Sequence, residues 1–307
     1  MKIAIHHLNK IYRNGNQALK DVNLEIENGM FGLLGPNGAG KSTLMRILVT
    51  LLKPSSGSVN VNDWDLQKNR RQIREMLGYL PQDFRFFSKL KTWEFLDYSA
   101  GLAGLKRGKL RNRQVDEMLD QVGLYEVRDR MANKLSGGMK RRLGIAQALI
   151  GNPKIVVVDE PTTGLDPEER IKFRNLLSDM SQKDIIIVLS THIVADISST
   201  CKNMALLDEG EVVFNGPPER LIDVAKDHVF LIQATMGDFE TIKERFPVIS
   251  TIPSEEGWEV QVVADKIDGF RAERIYPSLE HAYVYFMEYQ QDREIYLNHN
   301  NTGVNRT

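Results

Sequence analysis

The chain has 307 residues, and its 40 Lys and Arg against 41 Asp and Glu give a formal net charge of −1. This balance removes the electrostatic argument for a nucleic acid partner, and the length predicts about two domains with ample hydrophobic core. The single cysteine, Cys201, excludes an intramolecular disulfide bond and is typical of a protein in a reducing compartment.

Residues 2–34 predict a series of short strands, because apolar residues such as Ile3 and Ile5 alternate with polar neighbours. The last apolar run ends at Leu34 and predicts a buried strand. Tyr12 lies between the strands and has two interpretations: an ordinary strand aromatic, or a platform on which an adenine ring stacks.

A glycine-rich loop follows this buried strand and leads into a helix. It fits the phosphate-binding pattern G-x-x-x-x-G-K-[ST] over Gly35, Pro36, Asn37, Gly38, Ala39, Gly40, Lys41, Ser42 and Thr43. Glycines let the backbone approach a phosphate closely, and the free N–H groups at the helix start favour an anion. The lysine of this pattern reaches the β- and γ-phosphates, and the serine hydroxyl binds Mg²⁺. The loop therefore predicts a nucleoside triphosphate site.

The middle of the chain changes from an α/β pattern to a helical one. A strand through Val59 and Val61 and a charged, helical connection precede a short strand at 77–80. Residues 91–131 have helical apolar spacing and few β-branched residues, which predicts a helical insert. Between the short strand and this insert lie Gln82 and an aromatic group: Phe84, Phe86 and Phe87.

Two apolar runs in the next part end in polar residues. The run 155–158 ends in Asp159 and Glu160, and the run 185–189 ends just before His192. Buried strands that alternate with helices predict a parallel sheet covered on both faces, with ligands bound at the carboxyl ends of the strands. The segments around these strands are a helix start at Ser136, Gly137 and Gly138, the loop that contains Asp166, and a helix at 168–181.

The carboxy-terminal part predicts a hairpin at 203–215, a short helix that ends near residue 224, and a small α+β unit over 226–291. We expect strands at 229–235 and 258–263 and helices at 238–246 and 278–290 in this unit. An aromatic stripe on the last helix is expected to be core, and the polar tail at 292–307 is expected to be flexible. The stripe consists of Tyr283, Tyr285, Phe286 and Tyr289.

The order of these motifs resembles the ATP-binding subunit of an ABC (ATP-binding cassette) transporter over residues 2–222. The run from Ser136 to Arg142 is similar to ATPases of bacterial drug and antibiotic-peptide exporters. The resemblance implies a P-loop NTPase fold of ABC type, with a mixed sheet core, an antiparallel β subdomain and a helical subdomain at about 88–150. The segment 277–283 resembles a Pro-x-Leu-Glu segment of such ATPases, and its role stays open between dimerisation, regulation and packing.

The resemblance also implies a role for individual residues and the cofactors ATP and Mg²⁺. It implies a catalytic glutamate at Glu160 that polarises the attacking water, assisted by Lys41, a switch histidine at His192 and a sensor glutamine at Gln82. Tyr12 matches the adenine-stacking aromatic of the family. Mg²⁺ would be held by Ser42, Gln82 and Asp159.

A second anion site is expected at Ser136, Gly137 and Gly138, because we interpret this segment as a second helix N-terminus preceded by glycines. In the family this site, with the loop of Asp166, closes over ATP held by another subunit, so a second ATPase chain, identical or related, is implied. Met139 departs from the family, where glutamine is usual, and cannot donate the hydrogen bond of a glutamine amide. One interface or ribose contact is therefore in doubt.

An integral membrane permease is the other implied partner, docked near residues 82–87. The group of Phe84, Phe86 and Phe87 is either core under the helical insert or part of a groove for a short helix of that permease. No secretory pattern and no apolar run of ~20 residues is present, so we expect a cytoplasmic chain on the inner face of the membrane.

Two alternatives stay open. The first is a soluble ABC ATPase that acts on ribosomes or DNA; one cassette per chain and the balanced charge argue against it. The second is a P-loop kinase of a small substrate, which leaves the helix start at Ser136 without a function.

Overall fold

The structure, a computed structural model, describes residues 1–85, 89–182, 184–254 and 257–289. It divides into two compact units: Met1–His192 with Ala205–Val212, and Ile193–Met204 with the chain from Val213 onward. Phe86, Phe87 and the predicted tail at 292–307 lie outside the described residues. The predicted domain boundaries, 2–222 and 226–291, stay predictions.

Most strands and helices of the first unit follow the predicted order. Their bounds, in chain order, are β1 (Lys2–Ile11), β2 (Gln17–Glu27), β3 (Gly29–Leu34), α1 (Lys41–Leu48), β4 (Ser56–Val61), β5 (Trp64–Asp65), α2 (Arg70–Glu75), β6 (Leu77–Leu80), α3 (Thr92–Leu102), α4 (Lys109–Gln121), α5 (Gly137–Leu149), β7 (Ile155–Asp159), α6 (Pro167–Ser181) and β8 (Ile186–Thr191).

Strands β1, β2, β4 and β5 form an antiparallel sheet in the order β2-β1-β4-β5. Alternation of apolar residues places one face of this sheet in the core. Ile3 pairs with Ile26 on one side and with Val61 on the other, and all three side chains are buried. The predicted antiparallel β subdomain is therefore present.

The second sheet has the order β10-β9-β3-β8-β7-β6, where β9 (Asn203–Asp208) and β10 (Glu211–Gly216) form the predicted hairpin. Strands β3, β8, β7 and β6 run parallel. The five residues of β7 and the six of β8 are all buried, as expected for strands covered on both faces. The register pairs Leu34 with Thr191 and Asp159 with Ser190. The loops that follow these strands therefore leave the same edge of the sheet.

The helical insert contains α3 and α4, followed by α5. Its apolar positions, including Phe95, Leu96, Val115 and Leu119, are buried. The ring of Phe84, which is half-buried, lies edge-on to Phe95 with centroids 6.0 Å apart. Phe84 therefore packs under the insert. This agrees with the first of the two interpretations given for the aromatic group, in which it is part of the hydrophobic core. This arrangement of a mixed sheet, an antiparallel sheet and a helical insert confirms the fold class predicted from the sequence.

The second unit contains a four-stranded antiparallel sheet in the order β12-β13-β11-β14. Two strands, β12 and β14, were not predicted. The bounds of its elements are α7 (Val194–Ser198), α8 (Pro218–Val224), β11 (Val229–Ala234), α9 (Phe239–Arg245), β12 (Val248–Ser254), β13 (Gly257–Val263), β14 (Ala272–Arg274) and α10 (Leu279–Tyr289).

Aromatic residues build much of the packing in the second unit. Phe286 is fully buried and lies edge-on to Phe214 at 6.2 Å, and Tyr285 stacks on His228 at 4.4 Å. Tyr285 and Phe286 are therefore core, as predicted, whereas Tyr283 and Tyr289 are half-buried.

Within the described ranges, no helix is both long and apolar enough to cross a membrane.

Candidate nucleotide-binding and catalytic site

The phosphate loop is the turn between β3 and α1, and its glycines allow close packing of the backbone. A Cβ added at Gly35 would collide with the carbonyl of Leu207, and one at Gly40 would collide with the carbonyl of Ala18. Gly40 also caps α1 in a left-handed conformation, with φ of 104°. Only glycine fits this combination of space and conformation, so the loop can present its N–H groups at the start of α1.

Lys41 is a buried cation at the centre of the loop. Its Nζ donates hydrogen bonds to the carbonyls of Gly35 at 2.7 Å and Pro36 at 2.9 Å, and lies 3.9 Å from Oε1 of Glu160. Burial lowers the pKa of Lys41, an effect that the charges of Glu160 and Asp159 partly offset. The ammonium group is therefore held where an additional anion would stabilise its charge.

The carboxylate of Glu160 lies close to polar side chains from several parts of the sequence. Its Oε2 accepts a hydrogen bond from Nε2 of Gln82 at 3.2 Å, and lies 3.3 Å from Nδ1 of His192 and 3.4 Å from Oγ1 of Thr163. The side chain is 8% exposed. Its backbone has a φ of 46°, a left-handed conformation that costs a non-glycine residue on the order of 1–3 kcal/mol. Surrounding packing holds this strained glutamate between Lys41, Gln82 and His192.

Asp159 lies beside the hydroxyl of Ser42 and fits a divalent cation. Its Oδ1 is buried with no hydrogen-bond partner among the described residues. Burial raises the pKa of Asp159, and the nearby hydroxyls of Ser190 and Ser42 only partly offset this effect. A buried carboxylate oxygen without a partner is costly unless a cation compensates it, and oxygen ligands suit Mg²⁺. No group of three or more His, Cys, Asp or Glu side chains in the described ranges could hold a metal. A cation at Asp159 would therefore need hydroxyl, nucleotide or water ligands as well.

An open cleft of about 670 Å³ brings most of the predicted site residues together. Tyr12 is part of its lining, and the hydroxyl of Tyr12 is 3.1 Å from Oγ1 of Thr43. Asn16, Ala18 and Thr163 also line the cleft, although no motif in the sequence marks them as site residues. The predicted residues in its lining are Tyr12, Asn37, Gly38, Gly40, Lys41, Ser42, Thr43, Gln82, Glu160 and His192.

Ser136, Gly137, Gly138 and Asp166 do not belong to the lining described for this cleft. Ser136 caps α5, and its Oγ accepts a hydrogen bond from the N–H of Met139 at 3.2 Å. Asp166 caps α6 in the same way, through the N–H of Glu169 at 2.9 Å. Of the starts of α1, α5 and α6, that of α1 lines the cleft, whereas those of α5 and α6 do not.

Arg141 is a further residue that sequence reasoning missed. Its Nη1 donates to the carbonyl of Gln82 at 2.7 Å, and burial lowers its pKa. This contact connects α5 to the loop that carries Gln82. The run of basic residues at 140–142 was visible in the sequence, but its partner lies 59 positions away.

A phosphate loop between a parallel strand and a helix, with an acidic pair at the end of a neighbouring strand, defines a P-loop nucleoside triphosphatase. A family model described as ABC transporter matches residues 19–163. YxlF of Bacillus subtilis, an uncharacterized ABC transporter ATP-binding protein, is 34% identical over 263 residues, covering 84% of this chain and 86% of YxlF. The chain belongs to the ATP-binding proteins of ABC transporters.

Other relatives have more specific names or solved structures. YbhF of Escherichia coli, a probable multidrug ABC transporter ATP-binding protein, is 38% identical over 201 residues, which cover 66% of this chain and 34% of YbhF. The structure of cbiO1 from Clostridium perfringens, part of the ABC transporter complex cbiONQ, has a TM-score of 0.66 at 31% identity, covering 72% of this chain and 90% of cbiO1.

A dimeric cassette, MJ0796 in a post-hydrolysis state bound to ADP and Pi, has a TM-score of 0.64 at 28% identity. The match covers 70% of this chain and 98% of MJ0796. The predicted family and the predicted ATPase activity are thus confirmed: the chain hydrolyses ATP to power transport through a permease.

Proposed function

We propose that Glu160 is the catalytic glutamate of this ATPase and that the cleft beside it holds the triphosphate of ATP. The observation that carries this proposal is the position of the Glu160 carboxylate, 3.9 Å from Lys41 of the phosphate loop and within 3.3 Å of both Gln82 and His192. A carboxylate at this place can polarise a water molecule in line with the γ-phosphate. Lys41 and the loop N–H groups stabilise the phosphate charge.

Ser42, Asp159 and Gln82 would hold Mg²⁺ in this site. The ion supplies charge neutralisation on the β- and γ-phosphates when it is bound. The unpartnered Oδ1 of Asp159 beside the Ser42 hydroxyl supports this assignment. Tyr12, which lines the cleft, would stack on the adenine ring.

We infer further that two ATPase chains, identical or related, enclose each ATP between them. Ser136 caps a second helix whose first two residues are Gly137 and Gly138; this helix start does not line the cleft of its own chain, and the free N–H groups of a helix start favour an anion. In this arrangement these residues and Asp166 contact the ATP of the neighbouring chain. The structure of the relative MJ0796, a bacterial ABC transporter cassette, is dimeric, which supports the pairing of two such chains.

The test uses the purified full-length chain with Glu160→Gln. This variant keeps the shape of the side chain but loses the charge, so we expect ATP turnover to fall by roughly 10²-fold or more while ATP now stabilises a dimer. Glu25→Gln is the matched control, because Glu25 is an exposed partner of Lys2 on β2. The proposal fails if Glu160→Gln keeps normal turnover and also stays monomeric with ATP.

A groove of about 1200 Å³ between α2, the loop after β6 and α3 is the proposed docking site of the permease. Pro81, which precedes the predicted region at 82–87, and Arg85, which lies within it, line the groove together with Phe95, Tyr98 and Leu102. Tyr98 is 47% exposed and Leu102 is 74% exposed, so the groove offers apolar surface at its rim. Apolar surface in a groove favours the apolar face of a short helix.

Co-purification with the permease tests this docking site. Tyr98→Ala is expected to weaken assembly, whereas Tyr125→Ala, at a residue 40% exposed on another part of the chain, is expected to leave it unchanged. Phe86→Ala tests the predicted aromatic contribution in the same assay. Normal assembly and transport with both Tyr98→Ala and Phe86→Ala would contradict the proposal.

The proposed direction of transport is export, at the inner face of the cell membrane. The similarity to YbhF and the run from Ser136 to Arg142 support export, whereas a methionine import ATP-binding protein, MetN 1 of Bacillus thuringiensis, is 34% identical over 231 residues. Transport measured in inverted and in right-side-out vesicles separates the two directions. Salt-sensitive binding of nucleic acid by the purified chain would instead support the alternative of an ATPase that acts on ribosomes or DNA.

A further inference from the structure

The starts of α5 and α6 meet at the side chain of Glu169. A Cβ added at Gly138 would collide with the Glu169 carboxylate, so this carboxylate packs directly on the first turn of α5. Its Oε2 lies 3.4 Å from Nε of Arg142, one turn further along α5. The two side chains are only 19% and 16% exposed. Because the pair is largely shielded from water, salt screens it less than an exposed ion pair.

Glu169 is also attached to the loop that contains Asp166. Its backbone N–H donates to Oδ1 of Asp166 at 2.9 Å, which makes Asp166 the N-cap of α6. A glutamate at the third position of a helix commonly turns back to the N-cap residue in a capping box. Here the carboxylate of Glu169 is directed to α5 instead. Glu169 therefore contacts the Asp166 loop with its backbone and α5 with its side chain.

Arg142 and Lys172 balance the charge of Glu169. Nη1 of Arg142 also donates to the carbonyls of Val122 at 3.3 Å and Gly123 at 3.2 Å, which fixes the guanidinium group at the end of α4. Nζ of Lys172 lies 3.7 Å from Oε1 of Glu169. An uncompensated carboxylate beside the start of α5 would oppose the binding of an anion there, and the two cations prevent this.

We propose that Glu169 is a positioning residue that holds Asp166 and the segment from Ser136 to Gly138 in one fixed arrangement. The two elements then reach the nucleotide of the neighbouring chain together. This inference rests on the proposed function, in which both elements contact ATP held by a second chain. Glu169 itself acts through Gly138, Arg142 and Asp166 and does not touch the nucleotide.

The experiment uses the full chain with Glu160→Gln as parent and measures two quantities. One is the dissociation constant of the ATP-dependent dimer, and the other is the affinity of a single chain for a fluorescent ATP analogue. Adding Glu169→Gln is expected to weaken the dimer by about tenfold, as the loss of one shielded charged contact predicts, with no change in nucleotide affinity. Glu168→Gln is the matched control. The side chain of Glu168 is next to Glu169 in the sequence, is 79% exposed and pairs with Lys172 within α6.

A double-mutant cycle identifies the contact responsible. Arg142→Gln is expected to weaken the dimer as Glu169→Gln does, and the double variant to be no weaker than either single variant. Equal dimerisation of the Glu168→Gln and Glu169→Gln chains overturns the inference. If Glu169→Gln prevents folding, Glu169→Asp, which keeps the charge but shortens the side chain, is compared with Glu168→Asp in the same way.

A parent chain that stays monomeric with ATP contradicts the proposed pairing before any change at Glu169 is made. The inference then falls with the proposed function. A parent that forms the dimer, together with a Glu169→Gln chain that is unaffected, removes this inference alone.

Discussion

Nε2 of Gln82 donates a hydrogen bond to Oε2 of Glu160 over 3.2 Å, although the two residues are 78 positions apart in the chain. The contact exists because β6 and β7 are parallel neighbours, with Leu80 paired to Val158. The two polar residues therefore leave adjacent strands at the same edge. The carbonyl of Gln82 accepts from Arg141 on α5, so this loop joins the carboxylate of Glu160 to the helix that begins after Ser136.

Gln82→Ala removes the hydrogen bond to Glu160 and leaves that carboxylate less firmly oriented. We expect the kcat of ATP hydrolysis to fall by roughly 10- to 100-fold, with ATP affinity within about twofold of wild type. Steady-state kinetics and fluorescent nucleotide binding measure the two effects. Gln67→Ala, at an exposed position before α2, is the control. A large loss of affinity with unchanged kcat would contradict the orienting role of Gln82.

Asp159→Asn removes the buried carboxylate proposed to hold Mg²⁺. Because burial raises the pKa of Asp159 above 3.8, the ionised form is disfavoured in the folded chain. We therefore expect the variant to lose the Mg²⁺ dependence of nucleotide binding and, without nucleotide, to unfold on the order of 2–4 °C higher, the shift that about 1 kcal/mol produces in a large domain. Calorimetry with and without Mg²⁺ measures both effects. A lower midpoint for the nucleotide-free variant would show that the ionised carboxylate stabilises the fold.

The raised pKa of Asp159 also fixes the sign of a pH effect. A group whose pKa is higher in the folded chain contributes stability that is complete below its unfolded pKa and is lost as pH rises through its folded pKa. Mg²⁺ requires the ionised form, so its apparent affinity should fall as pH is lowered through the folded pKa. Calorimetric Mg²⁺ titrations at several pH values are expected to show proton release on binding, and the Asp159→Asn chain is expected to show none from this site.

His281 gives the second unit a dependence on pH of the opposite sign. The N–H of Ser278 donates to Nδ1 of His281 at 3.0 Å, and Nε2 lies 2.9 Å from Oε1 of Gln261. Burial lowers the pKa of His281 below 6.5, so the unfolded chain binds this proton more readily. Stability is therefore complete above pH ~6.5 and is lost as pH falls through the folded pKa, by about 1.4 kcal/mol per unit of pKa difference at most.

Thermal unfolding between pH 8 and pH 5 tests this expectation. The wild-type chain is expected to lose more stability on acidification than His281→Gln, which cannot take up the proton. His6→Gln, at an exposed position on β1, is the control and should follow the wild type. Identical pH profiles for wild type and His281→Gln would contradict the prediction.

Cys201 is expected to be inert in the folded protein. The thiol is 8% exposed, and burial raises its pKa to about 12, so almost no thiolate is present at neutral pH. At pH 7.5, iodoacetamide is expected to modify Cys201 only when the chain is unfolded by denaturant. Mass spectrometry of the treated chain measures the modification. A Ser56→Cys variant, at an exposed position on β4, serves as the reactive control. Modification of native Cys201 at the rate of this control would show that the region around it opens.

The phosphate loop at 35–43 could be predicted from the sequence because its glycines, Lys41 and Ser42 match a pattern within one local turn. The strand ends at Asp159 and His192 could also be placed, since apolar runs mark buried parallel strands. The contacts of Glu160 could not be predicted from the sequence, because they depend on the order of strands in the sheet. Arg141 was missed for the same reason: its contact with the Gln82 carbonyl joins elements that are remote in sequence.

The strands β12 and β14 escaped prediction because they lack a clear apolar alternation. Residues 251–253 of β12 are exposed, and the three residues of β14 are all exposed. Both strands lie at the edges of the sheet, where one neighbour supplies the hydrogen bonds. Their conformation is therefore set by pairing with β13 and β11, which a local pattern does not record.

The separation of the two helix starts, at Lys41 and at Ser136, has a consequence for the kinetics of this ATPase. Only the first start faces the cleft of its own chain. Under the proposed pairing, nucleotide binding is a property of one chain and saturates independently of protein concentration. Hydrolysis requires two chains, so the rate per chain should rise with protein concentration and level off only when the chains are mostly paired. In the assembled transporter the permease would hold the two chains together, and this concentration dependence would disappear.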